Sequence, residues 1–71
     1  MFLPQKIKEI RLRNFLSQDE FAKRLGVSYA TVNRWETGKT VPNIKALKKL
    51  DDYCKTENID CDIHEFTIKN I

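Results

Sequence analysis

The feature that most limits how this chain can fold is a pair of helix starts separated by one helix stop, all between Ser17 and Thr37. Ser17-Gln18-Asp19-Glu20 reads as a capping box, in which the Ser17 hydroxyl accepts from the amide of Glu20 and the Glu20 carboxylate accepts from the amide of Ser17. Leu16 before the cap and Phe21 in the first turn form a hydrophobic staple around it. Phe21, Ala22 and Leu25 supply an inward stripe, and Gly26 stops the helix because glycine adopts left-handed backbone cheaply. Ser28 caps a new helix almost at once, with Val27 and Val32 as a second staple. A helix from about Gln18 to Leu25 and another from about Tyr29 to Thr37 are thus separated by only three residues, which forces them to meet at a sharp angle.

On a wheel of about 100° per residue, Val32, Trp35 and Thr31 fall on one side of the second of these helices. Tyr29, Ala30, Asn33, Arg34 and Thr37 fall on the other, a face with two kinds of hydroxyl, an amide and a guanidinium. Trp35 belongs to the core stripe rather than to a surface that stacks on a ligand. Upstream, Pro4 suits the first turn of a helix running to Arg13, with Asn14 as terminator. Downstream, Gly38 stops the polar-faced helix, and Asn43 caps a fourth that reaches about Glu57. Its expected inward residues are Ile44, Leu47, Leu50 and Cys54, with Lys45, Lys48, Lys49 and Asp52 facing water. The tail reads two ways. Ile59, Cys61 and Ile63 alternate as in a strand, whereas Asp62-Ile63-His64-Glu65 can cap a short fifth helix; the alternation favours a short extended segment packed on the helices.

Seventy-one residues make one domain with little interior to spare for a buried active site, so a binding module is favoured over an enzyme. No nucleophile, base or metal constellation argues otherwise, and no cofactor is expected. Cys54, Cys61 and His64 offer three ligands, short of the four of a structural zinc site, and the two cysteines read as free thiols of a reducing compartment. No stretch is long enough to span a membrane and the start has no secretory pattern, which gives a cytoplasmic expectation. The net charge of +3 conceals an asymmetry. Residues 1–50 carry eleven Lys and Arg against four acids, a net +7; residues 51–71 carry two against six, a net −4. A basic body suits a polyanion, and the acidic tail must point away from it or serve another purpose. The domain reading is therefore residues 1–57, followed by an acidic tail at 58–71.

Two short helices across a tight turn, the second with a polar outer face, suit the major groove of DNA. Only that groove admits a helix, and it displays a distinct donor and acceptor pattern for each base pair. The motifs Ile7-Lys8-Glu9-Ile10-Arg11, Leu16-Ser17-Gln18-Asp19-Glu20-Phe21-Ala22, Leu25-Gly26-Val27-Ser28, Val32-Asn33-Arg34-Trp35-Glu36-Thr37-Gly38-Lys39 and Pro42 resemble the Cro/C1-type (Xre-family) helix-turn-helix, over about Lys6 to Leu50. The resemblance implies an all-α, compact four- to five-helix lambda-repressor-like domain that binds double-stranded DNA, commonly as a dimeric transcriptional regulator. It points Ser28, Tyr29, Ala30, Asn33 and Arg34 at the bases, and Gln18, Thr37, Lys39 and Thr40 at phosphates. Arg34 suits guanine, Asn33 adenine or a phosphate, and Ala30 a thymine methyl. Tyr29 departs from the smaller polar residues often found at its position. Arg11 and Glu36 match a structural ion pair of the family. The leading expectation is a sequence-specific repressor acting by occupancy, whose half-sites as a homodimer lie about 34–36 Å apart. The alternatives are an antitoxin that binds its own promoter and contacts a protein partner through the acidic tail, and a protein-interaction domain that has lost DNA binding.

Overall fold

The computed structural model describes residues 3–61 and residue 63. Four helices follow in chain order: α1 (Leu3–Arg13), α2 (Gln18–Leu25), α3 (Tyr29–Thr37) and α4 (Ile44–Thr56), with no strand among the described residues. The all-α class holds, and the helix limits lie where the local stop and start signals put them.

The capping box on α2 is complete. Ser17 Oγ accepts from the Glu20 amide at 3.1 Å, and Glu20 Oε1 accepts from the Ser17 amide at 2.9 Å. The bond from the Ser17 amide, followed by the nearby Ser17 hydroxyl, holds the Glu20 carboxyl below its ordinary value of 4.5, because a donor on the carboxylate favours the ionised form. A carboxyl with a lowered folded-state pKa stabilises the fold above its unfolded value and loses that contribution as pH falls through the folded one. Glu20→Gln is therefore expected to lower the melting temperature at neutral pH, and the gap to the parent protein should close in acid, below about pH 4.5. Thermal melts across that range check it, and a gap independent of pH contradicts it.

Gly26 (φ 74°) and Gly38 (φ 78°) both take the left-handed position that ends a helix. The Val27 amide then reaches back to Ala22 O at 2.9 Å and the Lys39 amide to Arg34 O at 2.9 Å, satisfying carbonyls that the helices leave open. At the end of α1 the expectation was less accurate. Asn14 does not supply the left-handed residue; Phe15 does (φ 56°), and its ring is 92% exposed. An L-residue in this conformation brings Cβ against its own carbonyl at a cost of roughly 1 kcal/mol, and here no packing offsets it. Phe15→Gly is expected to raise stability by about 0.5 kcal/mol after the added freedom of the unfolded chain is counted. Urea titration reads this directly.

The core sits where α3 packs on both α1 and α2, with α4 closing it against α2. Ile7 and Ile10 from α1, Phe21 from α2, Val32 from α3, and Leu47 and Leu50 from α4 are all fully buried. The Phe21 ring meets Tyr53 edge to face, with centroids 5.3 Å apart. Tyr53 in turn accepts a hydrogen bond from the Asn14 side chain, which ties the end of α1 to α4.

The inward face of α4 differs from the expectation. Ala46, Leu47, Leu50, Tyr53 and Cys54 are buried, while Ile44 is 55% exposed. Including Ala46 and Tyr53 rotates the centre of the buried stripe away from Ile44, which is left on the rim of the helix's first turn. The cysteines also differ. Cys54 and Cys61 are not free thiols but a disulfide. Past the end of α4, Asn58 turns left-handed (φ 56°) and the Ile59 amide reaches back to Cys54 O at 2.7 Å, so the chain doubles back over the helix. That reversal brings the two Cα atoms to 6.6 Å, within reach of a disulfide. Ile59 and Cys61 pack on the core, and Ile63 is fully buried with helical rather than extended backbone. The favoured extended reading of the tail thus does not hold at Ile63. The remainder of the fifth-helix reading, including His64 and Glu65, lies outside the described residues.

Candidate nucleic-acid interface

Helix α3 is short, and its two sides are unequal. Val32 and Trp35 are buried in the core; Tyr29, Ala30, Arg34 and Thr37 are exposed on the other side, and Asn33 is half-buried between them. The helix is held at both ends. Ser28 Oγ accepts from the Thr31 amide at 3.1 Å and shares a 2.8 Å hydrogen bond with Thr31 Oγ1, while Gly38 closes the other end. Ser28 is exposed, but its hydroxyl already serves as the cap. Thr37 Oγ1 donates to Asn33 O at 2.9 Å, so its hydrogen is spent within the helix and only its lone pairs face outward. A phosphate requires a donor, which weakens Thr37 relative to Lys39 as a phosphate contact. Lys39 and Thr40 are both exposed in the loop after α3, and their amides fold back on Arg34 O.

Behind this face runs a chain of polar side chains that no spacing in the sequence reveals. Arg11 Nε donates to Glu36 Oε2 at 2.8 Å and Nη2 to Glu36 Oε1 at 2.9 Å, a two-pronged ion pair between α1 and α3. Its third donor, Nη1, takes the Leu16 carbonyl at 2.9 Å in the turn before α2. The side chains are only 11% and 4% exposed. The bond to Glu36 raises the Arg11 pKa against the opposing effect of burial, so the guanidinium is charged at every accessible pH. Gln18 Nε2 then donates to Glu36 Oε1 at 3.1 Å, and Gln18 Oε1 accepts from Asn33 Nδ2 at 3.2 Å. Two of the residues that the sequence directed at DNA, Gln18 and Asn33, are thus bonded to each other and, through Glu36, to the buried pair. Sequence reading paired Arg11 with Glu36 through the family resemblance, as the structure has them, but directed Gln18 and Asn33 at DNA without linking either to that pair. It had no signal for the bonds from Gln18 to Glu36 and from Asn33 to Gln18, because these cross between α2 and α3.

A helix-turn-helix family model covers residues 7–57. The chain belongs to the Cro/C1-type helix-turn-helix family. Within it, α2, the turn at 26–28 and α3 form the helix-turn-helix proper, and α1 and α4 support it from behind. The chain is also 33% identical over 49 residues to the HTH-type transcriptional activator BcrR of Enterococcus faecalis. That stretch is 69% of this chain but spans only 24% of the relative's length. No solved structure matches.

Among the described residues, no group of three His, Cys, Asp or Glu side chains is placed to hold a metal ion, and the disulfide takes both cysteine sulfurs out of any such set. No helix among them is long and apolar enough to cross a membrane.

Proposed function

We propose that this helix-turn-helix domain binds double-stranded DNA in a sequence-specific manner, as part of a transcriptional regulator, with α3 in the major groove. The observation that carries the reading is the outer face of α3: Tyr29, Ala30, Asn33 and Arg34 stand outward on a helix whose opposite side, Val32 and Trp35, is locked in the core. A reading helix must be rigid behind and polar in front, since base edges are recognised by hydrogen bonds of fixed direction. In this reading Arg34 donates its fork to guanine O6 and N7, Ala30 sits against a thymine methyl, and Ser28 and Tyr29 contact bases at the amino end of α3. Gln18, Lys39 and Thr40 contact phosphates on either side and set the register, with Thr37 in a lesser part. The net +7 of residues 1–50 supplies the attraction to the polyanion. Occupancy of an operator is sufficient for repression, so we take repression as the mode of action; the relative named above is an activator, and a promoter-reporter assay decides between the two.

Selection of bound sites from a random DNA pool, followed by salt titration, tests the reading. Affinity is expected to fall with salt along a log–log slope of about −0.9 for each phosphate neutralised. Arg34→Ala is expected to lower affinity for the selected site about tenfold or more while leaving non-specific affinity within a fewfold, because it removes a base contact worth about 1–3 kcal/mol. Equal losses on selected and random DNA would remove Arg34 from the bases, and an absence of salt-sensitive binding to any duplex would overturn the function.

A further inference from the structure

We infer that Glu36, acting through Gln18, fixes the polarity of the Asn33 side-chain amide so that Asn33 reads adenine. This rests on the DNA-binding reading above and deepens it.

The argument starts at the buried end. An ionised carboxylate only accepts hydrogen bonds, and Arg11 holds Glu36 with both oxygens engaged, at 2.8 and 2.9 Å. Any amide that contacts Glu36 must therefore present its nitrogen. Gln18 does so, with Nε2 3.1 Å from Glu36 Oε1. Turning this amide over would set its oxygen against the carboxylate. With Nε2 committed inward, Gln18 Oε1 is the atom that faces Asn33, and the same logic repeats. Asn33 must present Nδ2, and it does, at 3.2 Å. An amide that is free to flip elsewhere on a protein surface is here set by a charge two side chains away.

The consequence falls on the outer side of Asn33, the fifth residue of α3. With one Nδ2 hydrogen given to Gln18, the atoms left for a ligand are Oδ1, an acceptor, and the second Nδ2 hydrogen, a donor. Adenine presents the complementary pair in the major groove, its N6 amine as donor and N7 as acceptor. Guanine presents two acceptors, O6 and N7, so Oδ1 would face a like group. Thymine offers the O4 acceptor alone and cytosine the N4 donor alone. Adenine alone engages both atoms, whereas cytosine, guanine and thymine each engage one, so adenine is preferred over the other three. Gln18 is a positioning residue in this scheme, and its remaining Nε2 hydrogen is still available to a phosphate.

Two measurements test the inference, one of which needs no DNA. In the free protein, the Asn33 side-chain amide protons are expected to show slowed solvent exchange by NMR, and Gln18→Met should abolish the slowing while the helices persist by circular dichroism. Site selection with the parent protein, Asn33→Ala and Gln18→Met is the second. The parent protein should require adenine at one position per recognition site. Asn33→Ala should lose about tenfold of discrimination there, and Gln18→Met should lose most of the same discrimination at the same position, with the other positions intact. Gln18→Asn, whose amide is too short to reach both partners, should behave as Gln18→Met and serves if the methionine variant fails to fold. A Gln18 variant that weakens all sequences equally overturns the relay. So does any base other than adenine at the Asn33-dependent position, or fast exchange of the Asn33 amide in the parent protein. Failure to bind any DNA, with the exchange slowed as expected, instead overturns the function on which the adenine assignment rests.

Discussion

Replacing Glu36 with alanine is expected to lower the stability of this domain by about 3 kcal/mol, enough to remove much of the roughly 5 kcal/mol that a chain of this length holds. The loss comes less from the attraction forgone than from what remains. Arg11 is 9% exposed and stays charged, and without Glu36 its Nε and Nη2 hydrogens have no carboxylate to meet. Arg11 Nη1 keeps the Leu16 carbonyl, so the guanidinium stays anchored where solvation is poor. Urea unfolding followed by circular dichroism measures the effect, and an unchanged midpoint contradicts it. A second variant separates the two contributions. Removing both charges at once, as Arg11→Met with Glu36→Leu, leaves no unpaired charge, only the Leu16 carbonyl and one Gln18 Nε2 hydrogen without these partners, and is expected to restore much of the lost stability. If the double variant is as unstable as Glu36→Ala, the pair itself and not the stranded charge carries the energy. DNA affinity, measured where Glu36→Ala remains folded, should change less than stability does.

Phe21→Ala is the other large change. Phe21 is fully buried at the start of α2, next to the Ser17 cap, and meets the Tyr53 ring of α4 edge to face. Truncation removes the ring contact and opens a cavity between the two helices. Large-to-small changes of this kind cost about 3–5 kcal/mol. The variant is expected to be largely unfolded at room temperature, with its helical circular dichroism lost and no cooperative melt. Phe21→Leu keeps most of the volume and should remain folded with a lowered melting temperature, since it loses the aromatic contact and part of the packing. A folded, cooperatively melting Phe21→Ala would mean that α4 closes over the gap.

The two variants act on different kinds of information. Phe21 was legible as core from the sequence, because its place after the capping box and its spacing to Leu25 are local properties of one helix. Arg11 and Glu36 were paired by resemblance, and their burial follows from α1 packing on α3. The left-handed Phe15 was missed for a related reason: Asn14 is the better local candidate for a helix stop, but its side chain is drawn to Tyr53 and Glu57 of α4, and the positive φ passes to the next residue. Ile44 was misplaced because the width of the buried stripe on α4 depends on which neighbours cover Ala46 and Tyr53. The cysteines were misread because their pairing depends on a chain reversal at Asn58: asparagine suits left-handed backbone, but nothing local says that the chain then folds back along α4 to meet Cys54.

Sequence alone determined the four helices, their caps, the tight turn before α3 and the polar composition of that helix's outer face. Each of these is governed by interactions within a few residues, where spacing and side-chain chemistry are sufficient. Tertiary structure alone decided that Glu36, Gln18 and Asn33 form one connected series behind that face, and that Cys54 and Cys61 meet. Those contacts join residues on different elements, and their geometry exists only once α3 is seated against α1 and α2 and the chain after α4 has folded back.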